Sequence, residues 1–217
     1  MYLPQSFVED RPEILAALIA RHPLGLLLTI DDGEIKASHL PFLLQPATAT
    51  APARLRGHLA RANPHGRSLD GAQGLLCFQG PDSYVSPSYY PSKQRDPRQV
   101  PTWNYAVVHA RGPVRTFDDA ASVLAIVTEL SAHFERAQPR PWSVADAPAD
   151  YVDKLLQAII GVELTITSLQ GKWKMSQNRL AEDAAGVAAA LSGKEGERER
   201  AVGQFVAEAL RRRPPTP

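Results

Sequence analysis

The stretch from Leu24 to Leu44 constrains the fold of this chain more than any other part of its sequence. It opens with "LGLLLTI", a short apolar run typical of a buried strand, and continues with the hairpin turn signal "DDG". The return segment alternates, with Ser38, Leu40 and Phe42 on one face and His39 on the other. Strands joined by so short a turn pair antiparallel. The sequence therefore predicts a sheet built from hairpins.

The rest of the chain adds more strands and inserts its longer helices late. Further strands are predicted at Arg54–Ala60, Gly74–Pro87, Asn104–Phe117 and Gly161–Leu169. Helices are predicted after Arg11, at Asp118–Glu135, at Asp150–Ile159, and in two C-terminal segments that begin at Ser176. Because regular β-α-β alternation is absent, the expected fold class is α+β, an antiparallel β-barrel with flanking helices and C-terminal helices. We expect a barrel domain at residues 1–175 and a C-terminal helical segment at residues 176–217 packed on it.

Composition narrows the function classes. Lys and Arg number 24 against 23 Asp and Glu, a net charge of +1 that argues against a dedicated nucleic-acid binder. The single Cys77 has no intramolecular partner and indicates a reducing compartment. No apolar run approaches the roughly 18 residues of a membrane span and no signal peptide is evident, so we expect a cytoplasmic protein that does not enter a membrane. Motifs for P-loops, dinucleotide-binding loops, serine hydrolases and metal ligands are absent, and no metal site is predicted.

The segment "VPTWNYAVVHARG", residues 100–112, places polar and aromatic side chains at the start of a predicted strand. Thr102, Trp103 and Asn104 come before a run in which small apolar residues occupy one face. The other face carries Trp103, a histidine and an arginine, which are costly to bury without partners. This face is expected to contact a ligand, a second subunit or water. An ordinary mixed surface with a half-buried Trp103 is the alternative.

The segment "GKWKMSQNR", residues 171–179, combines cations with a predicted helix start. Ser176 has the residue type of an N-cap for a helix beginning at Gln177, and Lys172 and Lys174 precede it. A helix N-terminus offers free N–H donors to an anion, and Asn178 adds a further donor. The alternative is a capped surface helix with solvated lysines. The Tyr- and Ser-rich segment 83–93 is likewise either a binding lip or a loop ordered by its prolines.

Three segments carry a resemblance to a known family. "PSKQRDPRQVPTWNY", "GPDSYVSPSYY" and "GKWKMSQNR", in this order, resemble the PaiB-type family, the FMN-binding negative transcriptional regulators. Shorter matches such as "MYLPQSF" and "HPLGLLLT" extend the resemblance over nearly the whole chain up to about Leu191. It implies a split β-barrel of the flavin-reductase-like or pyridoxamine-phosphate-oxidase-like kind, a homodimer, and FMN near the subunit interface.

The resemblance also suggests roles for individual residues. Trp103 would pack against the isoalloxazine, with Thr102 and Asn104 bonded to its polar edge or to the phosphate. The expected site comprises ten residues: Ser38 and His39 as wall residues, Thr102, Trp103, Asn104, the candidate phosphate partners Lys93, Lys172 and Lys174, and the amides Gln177 and Asn178. The Arg-x-x-x-Lys strand pattern by which many pyridoxamine-phosphate-oxidase-like proteins hold the FMN phosphate is not evident here.

Three functions follow from the resemblance and the composition. The first is an FMN-binding flavoprotein of a transcriptional repressor family that binds flavin at a homodimer interface. The alternative is an FMN-dependent oxidoreductase without direct DNA binding, since one fold hosts several functions. No catalytic residue is predicted for it. The third hypothesis is direct DNA binding through the C-terminal helices. It depends on the basic cluster Arg211–Arg213, and the net charge of +1 does not support it.

Overall fold

The computed structural model describes residues 1–213. Strands β1 to β9 are Val8–Glu9, Leu24–Asp31, Glu34–Pro41, Leu43–Gln45, Arg54–Ala60, Gln73–Val85, Thr102–Phe117, Ile159–Thr165 and Ser168–Lys174. Helices α1 to α5 are Pro12–Arg21, Ala120–Glu135, Ala149–Gln157, Ala181–Ser192 and Glu197–Arg211. Within residues 1–213, no helix is both long enough and apolar enough to cross a bilayer.

The strands form one antiparallel sheet in the order β3-β2-β6-β7-β8-β5-β4, with β9 beside β7 and β1 beside β9. The predicted hairpin is present, with β2 and β3 paired from Leu24 opposite Pro41 to Asp31 opposite Glu34. Its turn residues Asp32 and Gly33 have φ angles of 49° and 81°. Positive φ at both central positions is the geometry that matches the twist of the flanking strands.

The chain divides into two compact units. The central unit comprises Ala16–Phe78 and His109–Leu169. Its core is lined by aliphatic side chains and by the edge-to-face pair Phe42 and Phe78, whose ring centroids are 6.5 Å apart. On the β2–β3 hairpin, Ser38 and Leu40 are buried while His39 is exposed, which confirms the predicted alternation.

The terminal unit comprises Met1–Leu15, Gln79–Val108 and the chain from Gln170 onward. Helices α4 and α5 pack against each other here and bury apolar side chains. These are Ala184, Val187, Ala188 and Leu191 of α4, and Val202 and Val206 of α5. The C-terminal helices therefore contribute to the core of this unit. The predicted domain boundary after residue 175 stays a prediction.

Residues 171–180 differ from the prediction. Lys172 and Gly171 belong to β9 and pair with Val8 and Glu9 of β1, and α4 begins only at Ala181. Ser176 has a φ of 61°, which is the left-handed region rather than the extended conformation of an N-cap. The prediction of an N-cap at Ser176 is therefore wrong: β9 continues to Lys174, and the Ser176 hydroxyl accepts a hydrogen bond from Asn104 of β7.

Helix α2 packs on strands β5 and β8 through one face. It buries Val123, Ile126 and Leu130, while Leu124 is exposed. Its N-cap is Asp119, whose side chain accepts a hydrogen bond from the Ser122 backbone N–H.

Candidate functional site

Lys174 joins the end of β9 to the start of β7. Its Nζ donates to Thr102 Oγ1 and to the backbone oxygen of Trp103, each at 2.5 Å. Strand β9 lies beside β7 in the sheet, which brings two segments about 70 residues apart in sequence together. The two segments that the sequence singled out therefore meet within the terminal unit.

Trp103 offers a flat apolar surface next to this ammonium group. Its side chain is 53% exposed. Among residues 1–213, its aromatic neighbour is Tyr84, which packs edge-to-face with 6.2 Å between ring centroids and 72° between ring planes. The face of the indole is thus available to a planar partner, because an edge-to-face contact leaves much of a ring uncovered.

Asn104 follows with a buried amide. Its Nδ2 donates to Ser176 Oγ at 2.9 Å, and both residues are almost fully buried. Its Oδ1 is buried and has no hydrogen-bond partner among the described residues. An unsatisfied buried acceptor is uncommon in folded proteins and calls for an explanation such as a ligand donor.

The turn after β9 is braced by the side chain of Gln177. Its Oε1 accepts from the Met175 backbone N–H and its Nε2 donates to the Trp173 backbone oxygen, both at 2.6 Å. The amide of Gln177 is therefore used within the turn. Asn178, the other predicted amide, is exposed.

The electrostatic environment of Lys174 favours an anion. Partial burial lowers the pKa of Lys174 below its ordinary value, and the charges of Lys172 and Arg179 lower it further. An anion bound beside Lys174 would offset this repulsion. The group can therefore act as a hydrogen-bond donor and as a counter-charge.

Lys172 is buried and already has internal partners. Its Nζ donates to the Tyr2 backbone oxygen at 3.0 Å and lies 5.6 Å and 5.3 Å from the ring centroids of Tyr2 and Tyr105. Both distances suit a cation–π contact. Lys172 therefore adds positive charge to this region, while its ammonium group bonds within the protein.

The segment that carries Lys93 is fixed against α4. Ser92 donates to the buried carboxylate of Asp183 from both its backbone N–H, at 3.0 Å, and its Oγ, at 2.8 Å. Arg179 donates to Gln99 Oε1 at 3.0 Å and lies 4.9 Å from the Tyr90 ring centroid. The side chain of Lys93 itself is exposed. The ten predicted site residues did not include Arg179, Tyr84 or Tyr90, although all three lie in the segments 83–93 and 171–179 discussed above.

The two remaining predicted residues, Ser38 and His39, belong to the central unit. Ser38 Oγ is 2.9 Å from His65 Nδ1, and Thr29 Oγ1 is 2.8 Å from His65 Nε2. Asn63 donates to Ser38 Oγ at 3.2 Å. Ser38 is thus part of a buried polar cluster, whereas His39 is exposed. Among residues 1–213, no group of three or more His, Cys, Asp or Glu side chains is arranged to hold a metal ion.

Comparison with known proteins identifies the family. Residues 1–168 match the family described as "Putative FMN-binding domain". The chain belongs to this family. The predicted resemblance is confirmed, and the predicted cofactor, FMN, is the one that gives the FMN-binding domain family its name.

Relatives of the FMN-binding domain family match over most of their length. An uncharacterized protein of Emericella nidulans is 37% identical over 86% of this chain and 88% of its own. The Bacillus subtilis protein named protease synthase and sporulation protein PAI 2 is 26% identical over 98% of this chain and 99% of its own. The latter match shows that the similarity extends beyond Leu191, where the resemblance was expected to end, over almost the whole chain.

Solved structures show the same fold. The FAD and heme binding protein of Mycobacterium smegmatis superimposes with a TM-score of 0.55 at 18% identity, covering 77% of this chain and 73% of that one. The predicted fold class, an α+β split antiparallel β-barrel with flanking and C-terminal helices, is confirmed.

Proposed function

We propose that this protein binds FMN through Thr102, Trp103, Asn104 and Lys174 of the terminal unit. The observation that carries the proposal is the pair of hydrogen bonds from the Lys174 ammonium to Thr102 and to the Trp103 backbone, directly beside an exposed indole. A flat aromatic surface and a cation at one point match a ligand that is planar and anionic. Membership of the FMN-binding domain family supports the choice of flavin.

The residues present fit this ligand. The unpartnered Oδ1 of Asn104 is an acceptor for which the pyrimidine edge of a flavin has an N–H donor. Trp103 would stack on or pack beside the ring and exclude water from one face. Lys174 would donate to a carbonyl or phosphate oxygen, with the charge of Arg179 nearby. When bound, the flavin would supply electron-transfer chemistry that no side chain provides.

The other predicted residues keep secondary roles in the proposal. Lys172 would act through its charge, since its ammonium bonds to Tyr2. Lys93 and Asn178 are exposed and would act from the surface, and Gln177 would shape the turn. Ser38 and His39 belong to the central unit, and their role as wall residues stays a prediction.

We further propose that two copies of this chain form a homodimer; the placement of flavin near the subunit interface rests on the family resemblance alone. The central unit carries an apolar sheet face suited to a second copy: Leu26 and Leu28 of β2 lie opposite Cys77 and Leu75 of β6, and all four side chains are half-buried. Partly exposed apolar side chains on paired strands favour burial against another surface.

We propose a role in transcriptional repression, with flavin as effector. The name of the Bacillus subtilis relative refers to protease synthesis and sporulation, two processes under genetic control, which supports a regulatory role. Direct contact with DNA is a weaker proposal. Arg212 pairs with Glu208, and Arg213 bonds to backbone oxygens within the unit, which occupies two of the three arginines of the basic cluster.

The proposal is tested by titrating the purified protein with FMN and following flavin fluorescence and the visible absorption band. We expect saturable binding with one flavin per chain, and Lys174→Met should weaken it. Lys154→Met, which removes an exposed lysine of α3 in the central unit, is the matched control and should leave the affinity unchanged. A wild-type protein that leaves the FMN fluorescence unchanged would overturn the proposal.

A second candidate is an FMN-dependent oxidoreductase. The exposure of Trp103 favours it, because a flavin packed on this surface indole would keep its other face open to a second molecule. Anaerobic addition of NADH or NADPH to the flavin-loaded protein separates the two functions. Rapid bleaching of the flavin band supports the oxidoreductase, and a stable oxidised band supports the effector role.

A further inference from the structure

Arg213 connects the end of the chain to the turn that follows Lys174. Its guanidinium donates to the backbone oxygens of Ser176, at 2.9 Å, and of Gln177, at 3.2 Å. Both acceptors lie in the terminal unit, as does Arg213. The residue follows α5 and lies beyond residues 1–168, the range that matches the FMN-binding domain family.

The turn requires such a restraint. Ser176 has a φ of 61°, and a residue with a Cβ pays a conformational cost in this region that surrounding contacts must offset. Three sets of contacts hold it: the bond from Asn104, the two bonds of the Gln177 amide, and the two bonds from Arg213. Of these contacts, only the two bonds from Arg213 come from the region of α5.

Helix α5 is itself positioned by independent contacts. The Phe205 ring packs against Trp173 of β9, with centroids 6.4 Å apart. Val202 and Val206 are fully buried. Because α5 is anchored along its length, it can hold the Arg213 side chain over the turn.

The position of the turn determines the geometry of the proposed site. Lys174 lies two residues before Ser176, and the amide of Asn104 is oriented by its bond to Ser176 Oγ. If the turn relaxed, the ammonium would lose its alignment with Thr102 and the Asn104 amide would lose its donor contact. A displacement of about 1 Å is enough to weaken a preorganised site substantially.

We propose that Arg213 is a positioning residue: it holds the turn 175–179 in the conformation that presents Lys174 and Asn104, and so couples flavin affinity to the docking of α5. This inference rests on the proposed FMN site. It implies that any partner that displaces the C-terminal end of α5 would release flavin, since affinity and docking are linked reciprocally.

The test compares Arg213→Ala and Arg213→Lys with Arg211→Ala. Arg211 is exposed at the end of the same helix, so its replacement removes an equal charge without touching the turn. Two quantities are measured on each full-length variant: the Kd for FMN, and the backbone hydrogen exchange of residues 175–180 without FMN. Circular dichroism and thermal unfolding establish that each variant is folded.

We expect faster exchange of residues 175–180 and an FMN Kd about tenfold higher in Arg213→Ala, the scale of losing a charged hydrogen-bond pair. Arg213→Lys should restore most of both, and Arg211→Ala should match the wild type. Unchanged exchange in Arg213→Ala overturns the inference. Faster exchange with an unchanged Kd also overturns it, since the turn would then be ordered without affecting flavin.

The exchange measurement separates this inference from the proposed function. If the wild-type protein does not bind FMN, the proposed function fails and the coupling to flavin fails with it. In that case, faster exchange in Arg213→Ala still supports the restraint of the turn by Arg213. Unchanged exchange would refute the restraint whatever the ligand.

Discussion

Trp103 and Lys174 provide two different components of the proposed site, an apolar surface and a charge, and they can be separated by substitution. Trp103→Ala should weaken FMN binding by about 1–3 kcal/mol, the range for loss of an aromatic anchor. Thermal stability should change little, because the side chain is more than half exposed. The measurement is a fluorescence titration alongside a melting curve.

Trp142→Ala is the matched control for this substitution. Trp142 is 44% exposed and belongs to the central unit. Its loss should leave flavin affinity unchanged. Equal affinities for the Trp103→Ala variant and the wild type would show that the indole does not contact the ligand.

Lys174 gives the site a pH dependence. Its pKa is lowered, mainly by burial, and an anion binds the protonated form more tightly than the neutral form. FMN should therefore bind most tightly below the pKa of Lys174 in the free protein, where the ammonium is protonated. The affinity should fall as the pH rises through that pKa. The Kd is measured from about pH 7 to about pH 10. Lys174→Met should flatten this profile, and an equally steep profile in that variant would assign the titration to another group.

At the scale of elements, His65 links the β2–β3 hairpin to the segment that follows β5. It bonds Thr29 of β2 and Ser38 of β3, and burial lowers its pKa. The unfolded chain, with an ordinary histidine pKa near about 6.5, then binds more protons than the folded chain at mildly acidic pH. Neutral His65 therefore stabilises the fold fully above the ordinary histidine pKa. This contribution is lost as the pH falls through the lowered pKa of His65 in the folded chain.

Urea unfolding at about pH 7.5 and about pH 5.5 tests this expectation, because the two values bracket the ordinary histidine pKa. The free energy of unfolding should fall on acidification in the wild type and fall less in His65→Gln. His39→Gln alters the exposed histidine next to Ser38 and should behave like the wild type. An identical acid response in His65→Gln would exclude His65 as its source.

Helix α4 holds the segment before β7 through a close approach at Gly186. A Cβ placed there would lie 2.1 Å from the Tyr89 backbone oxygen and 2.9 Å from Pro91 Cδ. Gly186→Ala should therefore destabilise the protein by about 1–3 kcal/mol, the usual cost of overpacking. Gly193→Ala, where the nearest atom is 3.6 Å away, should stay within about 0.5 kcal/mol. Equal unfolding free energies for the two variants would contradict the contact.

The elements also show how far sequence predicts this structure. The hairpin and the buried face of β7 depend on neighbours in sequence, and alternation predicted both. Strand β9 pairs with β1, about 160 residues away, and residues 175–180 follow it as a turn where local preference predicted a helix from Gln177. The meeting of Trp103 and Lys174 was predicted from residue chemistry. The contacts of Arg213 depend on tertiary packing, and no sequence pattern indicates them.

For the whole molecule, the apolar face of β2 and β6 predicts the oligomeric state. The wild type should sediment as a dimer, and Leu28→Arg should shift it to a monomer because a charge would have to be buried in the interface. Leu155→Arg, on the exposed face of α3, should remain dimeric. Unfolding measurements show whether Leu28→Arg is folded. A monomeric wild type, or a dimeric folded Leu28→Arg, would contradict the proposed interface.

Cys77 lies on that same face, opposite Leu26, and is the only cysteine of the chain. Burial raises the pKa of its thiol, so little of the nucleophilic thiolate forms at neutral pH. A maleimide reagent should therefore label Cys77 slowly, and more slowly in the proposed dimer than in a Leu28→Arg monomer, where no second copy covers the thiol. The rate of labelling, read by mass spectrometry without any engineered label, would thus report dissociation of the proposed dimer.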